Sequence, residues 1–276
     1  MSDKHIGFIG GGNMAASLIG GLIADGWKAN NIHVSDPDAS RREHLGQLFS
    51  IQTHADNIPN VMACDVLLLA VKPQMMADVI SPLADSIASQ KPLIITIAAG
   101  IGLADLSRWC GGYSNLIRSM PNTPALLQSG ATALYADPSV NAENKDLAET
   151  IMRAVGLTLW LESEEQINAV TAVSGSGPAY FFYVMEAMEQ AGVDLGLSAE
   201  TARLLTLQTA FGAARMALES TDNPETLRQK VTSPGGTTER ALGILEEGKL
   251  KQIFKQALTG ASERSQELAT LYGQKA

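Results

Sequence analysis

A glycine-rich turn directly after a short apolar run most constrains the fold of this chain. The run Ile6–Ile9 leads into Gly10, Gly11 and Gly12, and Ala15 stands where a helix is expected to begin. In turns that bind dinucleotides, the first glycine makes the bend, the second lets the backbone approach a pyrophosphate, and a third small residue lets the helix pack on the sheet. Strand, turn and helix come here in the required order. The sequence therefore predicts a dinucleotide-binding turn, with a purely structural turn as the alternative.

Apolar runs recur along the first 162 residues as in a chain of alternating strands and helices. After a helix at about 14–25, we expect strands at 32–35, 66–71, 93–97, 115–120, 131–135 and 156–161, the last two separated by a helix at 142–154. Such alternation is typical of a parallel sheet covered by helices on both faces. The run from Val66 to Val71 is apolar throughout, as in a central strand buried on both faces. We predict an α/β fold whose Rossmann-type parallel sheet forms a dinucleotide-binding domain of residues 1–162.

Strand-like runs disappear after residue 162, and helical patterns take over. Ser163 to Gln166 forms a capping-box pattern, and Gly177-Pro178 suits the start of another helix. A third helix carries an apolar face made by Leu204, Leu207, Phe211, Ala214 and Leu218. That face either packs within the chain or is buried against a second subunit. We predict an all-helical carboxy-terminal domain of residues 163–276.

The charge balance of the chain excludes some classes of partner. Lysine and arginine number 20 and aspartate and glutamate 29, for a formal net charge of −9. We therefore expect neither nucleic acid nor an anionic membrane as a partner. The apolar runs are too short for a signal peptide or a membrane span, and we expect a cytoplasmic protein.

The cysteines and histidines show no spacing that indicates a metal site. Cys64 and Cys110 lack the pattern of a disulfide framework and are interpreted as small buried residues. The four histidines, at positions 5, 33, 44 and 54, lack the spacing of metal ligands. We expect no metal, and surface or structural roles for these histidines.

The end of the second predicted strand carries two opposing signals about the dinucleotide. An acid at the position of Asp36 would bond the ribose 2′-OH of NAD. A small hydroxyl such as Ser35 with a nearby arginine, here Arg41 or Arg42, would suit the 2′-phosphate of NADP. Asp36 can also be a helix cap or turn former, because Pro37 follows it.

A second glycine turn lies in the predicted helical domain and suits a small anionic ligand. Gly235 and Gly236 free the backbone, and a helical pattern with Thr237 and Thr238 follows at once. Several N–H groups at such a helix start can converge on a carboxylate, and the two threonines add hydroxyls. The alternative is a capped helix start that binds nothing.

Two other chemistries fit the sequence poorly. Ser174 stands in the place of the first glycine of a G-x-S-x-G elbow, and no histidine follows it to complete a hydrolase triad. A hydroxyacid dehydrogenase would need a base for the alcohol proton, which in that family is a lysine on the first helix between the domains. Residues 154–202, where that helix would lie, contain no lysine, arginine or histidine. An imine arrives already protonated and needs orientation more than a strong acid, so the available residues suit imine reduction.

Five segments together resemble the pyrroline-5-carboxylate reductases. They are Ile9–Ala15, Ala70–Pro73, Met120–Pro124, Ser174–Tyr180 and Val231–Ala241. The resemblance implies an oxidoreductase that reduces 1-pyrroline-5-carboxylate to L-proline by hydride transfer to the C=N carbon, the last step of this amino-acid biosynthesis. It also implies a homodimer formed through the carboxy-terminal helices, with dimers assembling into a larger ring such as a decamer.

The resemblance also assigns roles to individual residues. Those of the cofactor path are Ile9, Gly10, Gly11, Gly12, Asn13 and Met14 at the pyrophosphate, Ser35 and Asp36 at the adenosine ribose, and Asn57, Ala70, Val71, Lys72, Pro73, Ala98 and Ala99 along the remaining path. Those of the substrate turn are Ser233, Gly235, Gly236 and Thr237 at the carboxylate or ring, and Thr238, whose hydroxyl contacts the ring nitrogen as the catalytic contact. The resemblance implies NADP. The family often has a neutral residue in place of Asp36, and an acid beside a 2′-phosphate is repulsive, so NAD is the alternative cofactor. The alternative function is that of a sensor, which binds the dinucleotide and regulates a partner without catalysing a reaction.

Overall fold

The computed structural model describes residues 3–274, and eight strands in that range form one sheet. They are β1 (Ile6–Ile9), β2 (Ile32–Ser35), β3 (Gln52–His54), β4 (Val66–Leu69), β5 (Leu93–Thr96), β6 (Leu116–Met120), β7 (Gly130–Ala136) and β8 (Gly156–Trp160). The spatial order is β3-β2-β1-β4-β5-β6-β7-β8. At the carboxyl end of β1, Ile9 pairs with Ser35 on one side and Leu69 on the other. The glycine turn therefore leaves the sheet between the ends of β2 and β4.

Helices cover both faces of this sheet. They are α1 (Asn13–Ala24), α2 (Ala39–Phe49), α3 (Asn57–Ala63), α4 (Met76–Ile80), α5 (Ala84–Gln90), α6 (Leu103–Trp109), α7 (Ala142–Arg153) and α8 (Gln166–Val170), and a π turn at Thr171–Gly175 continues α8. Along β4, Leu68 belongs to one buried apolar cluster, with Phe8 and Leu18, whereas Leu67 and Leu69 belong to the other. The uninterrupted apolar run of β4 is thus explained by burial on both faces.

Most of the predicted strands are confirmed, with two differences. The short strand β3 was not predicted, because its side chains are polar and partly or fully exposed. The predicted sheet was parallel throughout, but β7 pairs antiparallel with β6, and β8 runs parallel to β7. A single 3₁₀ turn at Thr123–Leu127 joins β6 to β7. A parallel pair would need a longer crossover connection.

The chain divides into two compact units. One comprises the residues up to Ser176 together with those from Ala261 onward, and the other comprises Gly177–Gly260. The helices after the π turn are α9 (Gly177–Asp194), α10 (Ala199–Glu219), α11 (Pro224–Lys230), α12 (Thr237–Glu247) and α13 (Leu250–Gly273). Helix α13 therefore contributes its last residues to the first unit. The predicted domains 1–162 and 163–276 follow a change in sequence pattern and stay a prediction.

The predicted apolar face of the long third helix lies on α10 and is exposed. Leu204, Phe211 and Leu218 are 58%, 61% and 86% exposed. Packing within the chain, one of the two interpretations of this face, does not cover these side chains. Burial against a second subunit is the interpretation that this exposure favours.

Candidate active site

The first glycine of the turn after β1 is fixed by the strands on either side. The Gly10 N–H donates to the Ser35 carbonyl at 2.8 Å, and the Ala70 N–H donates to the Ile9 carbonyl at 2.8 Å. Gly10 has a φ of +96°, and a Cβ there would lie 2.8 Å from the Ala70 carbonyl oxygen. Only glycine fits this position without strain.

The outer part of the same turn is open. Gly12 has an ordinary φ of −70° and precedes α1 without a side-chain cap. A Cβ added at Gly12 would meet no heavy atom within 4 Å. The first N–H groups of a helix have no intrahelical partners and carry the positive end of the helix dipole. A pyrophosphate therefore fits against the start of α1.

A cavity of about 420 Å³ lies beside this turn, at the carboxyl ends of β1, β2 and β4. The predicted cofactor residues that line it are Ile9, Gly10, Gly12, Ser35, Asp36, Asn57, Ala70, Val71 and Lys72. The predicted residues outside its lining are Gly11, Asn13, Met14, Pro73, Ala98 and Ala99. Arg41, which the sequence offered as a partner of the 2′-phosphate, also lines the cavity. The lining residues that the sequence missed are Pro37, Ala55, Asp56, Met75 and Val79. Ala55 and Asp56 follow the unpredicted strand β3, so identifying that strand would have found them.

Asp36 is engaged by the backbone on both of its carboxylate oxygens. Its Oδ2 accepts the Gly11 N–H at 2.8 Å, and its Oδ1 accepts the Asp38 N–H at 2.9 Å. The residue is 5% exposed, and Nη1 of the half-exposed Arg41 lies 3.6 Å from Oδ2. Asp36 is therefore a turn former that ties the glycine turn to the loop after β2. The side chain that caps α2 is Asp38.

The hydroxyl of Ser35 points away from the cavity. Ser35 is 1% exposed, and its Oγ contacts the Phe8 carbonyl at 3.4 Å. The fully buried Asn60 donates from Nδ2 to that Oγ at 3.0 Å and to the Phe8 carbonyl at 2.8 Å. Ser35 thus borders the cavity without presenting a free hydroxyl to a 2′-phosphate. Of the residues predicted to bind a 2′-phosphate, Arg41 is the one that lines the cavity with a group able to reach it.

The last residues of the predicted cofactor path, Ala98 and Ala99, follow β5. The Ala98 N–H donates to Thr96 Oγ1 at 3.2 Å, and Gly100 bends the chain with a φ of +72°. After β6, Asn122 donates to the Ser174 carbonyl at 3.1 Å and accepts the Ala131 N–H at 2.9 Å. The first of these hydrogen bonds holds the segment after β6 against the π turn, and the second ties it to β7.

The glycine turn of the second unit lies on the surface of the single chain. Gly235 has a φ of +72°, and its N–H donates to Glu239 Oε2 at 2.7 Å. The Gly236 N–H donates to the Ser233 carbonyl at 3.0 Å. The N–H groups of both glycines are therefore used within the turn and are not among those that could converge on a carboxylate. The groups suited to a carboxylate are the N–H groups at the start of α12 and the hydroxyls of the exposed Thr237 and Thr238.

Ser174, Cys64 and Cys110, the other candidate nucleophiles that the sequence raised, have structural positions. Ser174 Oγ donates to the Val170 carbonyl at 3.1 Å within its own helix. Burial raises the pKa of the Cys64 and Cys110 thiols to about 12, so both are protonated and unreactive. Within residues 3–274, no group of histidine, cysteine, aspartate and glutamate side chains is arranged to hold a metal ion. No helix in that range is long and apolar enough to cross a membrane.

Two family models match separate parts of the chain. One is described as pyrroline-5-carboxylate reductase dimerisation and matches residues 164–268. The other is described as NADP oxidoreductase, coenzyme F420-dependent, and matches residues 5–100. The first covers the helices whose apolar faces are exposed, and the second covers the glycine turn and its cavity. The chain thus combines an oxidoreductase domain with a dimerisation domain.

Similarity to known proteins extends along the whole chain. The pyrroline-5-carboxylate reductase of Pseudomonas aeruginosa is 52% identical over 274 residues, which are 99% of this chain and 100% of that relative. A structure of the Coxiella burnetii pyrroline-5-carboxylate reductase shares 45% identity with a TM-score of 0.93, covering 97% of this chain and 99% of that one. The Plasmodium falciparum pyrroline carboxylate reductase, solved with NADP bound, shares 28% identity with a TM-score of 0.86, covering 98% and 99%. This chain belongs to the pyrroline-5-carboxylate reductase family.

Proposed function

We propose that this protein reduces 1-pyrroline-5-carboxylate to L-proline with NAD(P)H, the last step of proline biosynthesis. The observation that carries the proposal is the cavity at the carboxyl ends of β1, β2 and β4, beside an open helix start at Gly12. That arrangement suits the pyrophosphate of a dinucleotide. Relatives that bear this enzyme's name match the chain from end to end.

The proposed cofactor is NADP, with NAD as the alternative. When bound, the reduced dinucleotide supplies the hydride. In the proposed arrangement, Gly10 to Met14 hold its pyrophosphate, the loop with Asp36 and Arg41 holds the adenosine ribose, and Ala98 and Ala99 lie along the nicotinamide half. The positive charge of Arg41 offsets the acid beside it, which makes a 2′-phosphate acceptable at this place.

The proposed substrate site is the turn of Ser233, Gly235, Gly236, Thr237 and Thr238. The start of α12 and the Thr237 hydroxyl hold the carboxylate, and the Thr238 hydroxyl contacts the ring nitrogen. The imine binds with its nitrogen protonated, so a hydride added to the C=N carbon gives the neutral secondary amine directly. No residue of the chain then needs to donate a proton to the substrate. This agrees with residues 154–202, which contain no lysine, arginine or histidine that could donate one.

The proposed assembly is a homodimer through the carboxy-terminal helices, with dimers joined into a larger ring such as a decamer, in the cytoplasm. The exposed apolar side chains of α9 and α10 support the dimer, because single chains rarely leave such surfaces uncovered. Sedimentation equilibrium measures the assembly. A monomer at micromolar concentration would contradict it.

The test of the reaction is spectrophotometric. We expect oxidation of NADPH, and more weakly of NADH, with 1-pyrroline-5-carboxylate, and no oxidation linked to simple oxo acids of the hydroxyacid dehydrogenases. Turnover restricted to the latter would refute the proposal. Ligand-dependent melting with NADPH, without turnover of any imine, would instead indicate the dinucleotide sensor.

A further inference from the structure

The end of the last helix covers the turn that follows β5. Gly100 is buried in the left-handed conformation, with a φ of +72°. A Cβ added there would lie 3.2 Å from Cδ2 of Tyr272 and 3.5 Å from the Ala269 nitrogen. The ring of Tyr272 therefore lies directly on the backbone of this turn.

Further contacts hold the helix end in that place. Arg108 Nη2 donates to the Gly273 carbonyl at 2.6 Å, which supplies a partner and a positive charge to the carbonyl end of α13. The backbone of Gly273 lies so close to Asp105 that a Cβ would overlap the carboxylate. Two turns earlier, Ser265 donates to Asn168 at 2.8 Å. All these residues belong to the first compact unit.

The covered turn occupies a functional position in the sheet. Leu69 of β4 pairs with Thr96 of β5, and the Ile97 N–H donates to the Leu69 carbonyl at 3.2 Å. The turn thus lies at the carboxyl edge of the sheet, where open parallel sheets bind their ligands. The strands fix one side of the turn, and Tyr272 fixes the other.

We propose that Tyr272 is a positioning residue for the nicotinamide half of the dinucleotide. It holds the turn of Ala98, Ala99 and Gly100 in the conformation against which that half lies. The inference rests on the proposed function, since it assumes that a dinucleotide extends from the cavity at Asp36 toward β5. The adenosine half should be independent of Tyr272, because its cavity is lined by other segments.

The test compares two ligands on the full-length protein. NADPH occupies both halves of the proposed site, whereas 2′,5′-ADP occupies only the adenosine half. In Tyr272→Ala we expect the Kd of NADPH to rise about tenfold and that of 2′,5′-ADP to change by less than about twofold. Tyr272→Phe keeps the ring and should restore NADPH binding. Thr270→Ala alters an exposed side chain of the same helix turn and should bind both ligands normally.

The steady-state parameters should show the same division. In Tyr272→Ala, the KM for NADPH should rise with little change in the KM for 1-pyrroline-5-carboxylate. If Tyr272→Ala does not fold, Arg108→Met removes the hydrogen bond to the helix end and should weaken NADPH selectively. Equal weakening of both ligands, or of neither, in a folded variant overturns the inference. Normal NADPH binding by the wild type without imine turnover would refute the reaction and leave the role of Tyr272 testable by binding.

Discussion

We expect the stability of the protein to fall at mildly acidic pH because of one histidine in the sheet. His33 lies in β2 and is 8% exposed. Its ring nitrogens lie 3.1 Å from His5 Nδ1 and 3.2 Å from His54 Nε2. Burial, and then the neighbouring imidazoles of His54 and His5, lower the pKa of His33 from 6.5 to about 4. The folded state therefore holds this ring neutral, whereas the unfolded chain protonates it more readily.

The size of the effect follows from the two pKa values. With 6.5 for the unfolded chain and about 4 for the folded protein, the contribution of His33 is fully present well above pH 6.5 and is lost as the pH falls toward 4. Between about pH 7 and about pH 5, linkage gives a loss of about 2 kcal/mol in the free energy of unfolding. The other charged groups near these histidines are Asp65 and Lys4. Asp65 accepts the backbone N–H of His5 at 2.8 Å, and Lys4 pairs with Asp65.

Urea unfolding at the two pH values, at one protein concentration, measures this loss. His33→Gln keeps a polar side chain but cannot be protonated, so its loss should be smaller than that of the wild type by about 2 kcal/mol. His44→Gln replaces an exposed imidazole on α2 and should retain the wild-type pH dependence. If His33→Gln loses as much stability as the wild type between the two pH values, the reasoning is refuted.

The other predictions concern the two glycine turns. Gly10→Ala should be destabilised by about 1–3 kcal/mol, since its φ is positive and its Cβ would meet a carbonyl oxygen, whereas Gly12→Ala should melt normally yet bind NADPH poorly. Thermal melts and NADPH titrations distinguish the two, and poor folding of both would contradict the assignment. Asp36→Asn should raise kcat/KM for NADPH relative to NADH, because it removes a negative charge beside Arg41; an unchanged ratio would exclude Asp36 from cofactor choice. Thr238→Ala should lower kcat by about 10-fold or more through loss of a transition-state contact, and unchanged kinetics in a folded variant would remove Thr238 from the mechanism. Glu239→Gln keeps an acceptor for the Gly235 N–H but removes a charge near the proposed carboxylate, so the KM for 1-pyrroline-5-carboxylate should fall; a rise would assign Glu239 a purely structural role.

The strands that could be predicted from the sequence are those whose own residues form an apolar run. β4 is apolar at every position, β1 at every position but Gly7, and β2 at Ile32 and Val34, because helices cover both faces of the sheet. β3 has no such cause. It forms because Gln52, Thr53 and His54 pair with the exposed edge of β2, and pairing between distant segments leaves no periodic signal in so short a stretch. The direction of β7 was likewise set by its short connection to β6, not by its own composition.

The candidate cofactor site also has features that could be predicted from the sequence and features that could not. The positions of Gly10 and Gly12 follow from the order of strand, turn and helix, which is local information. The hydrogen-bond partners of Asp36 and Ser35 do not. Gly11 is 25 positions from Asp36, and Asn60, which turns the Ser35 hydroxyl inward, is equally far along the chain. Which side chain faces a ligand was therefore decided by tertiary contacts that no single-sequence pattern contains.

The charge of the whole chain says little about how it holds an anionic cofactor. Although the net charge is −9, the cavity beside the glycine turn has Arg41 and Lys72 in its lining as well as Asp36 and Asp56. The carboxylate of Asp36 already accepts two backbone N–H groups and lies close to Arg41. Its field at a 2′-phosphate is therefore weaker than that of an unpartnered acid. In the proposed cofactor arrangement, we therefore expect the choice between NADPH and NADH to follow from whether Arg41 remains with Asp36 or turns to the phosphate. Because Arg41 is half-exposed, that movement would require no change in the sheet.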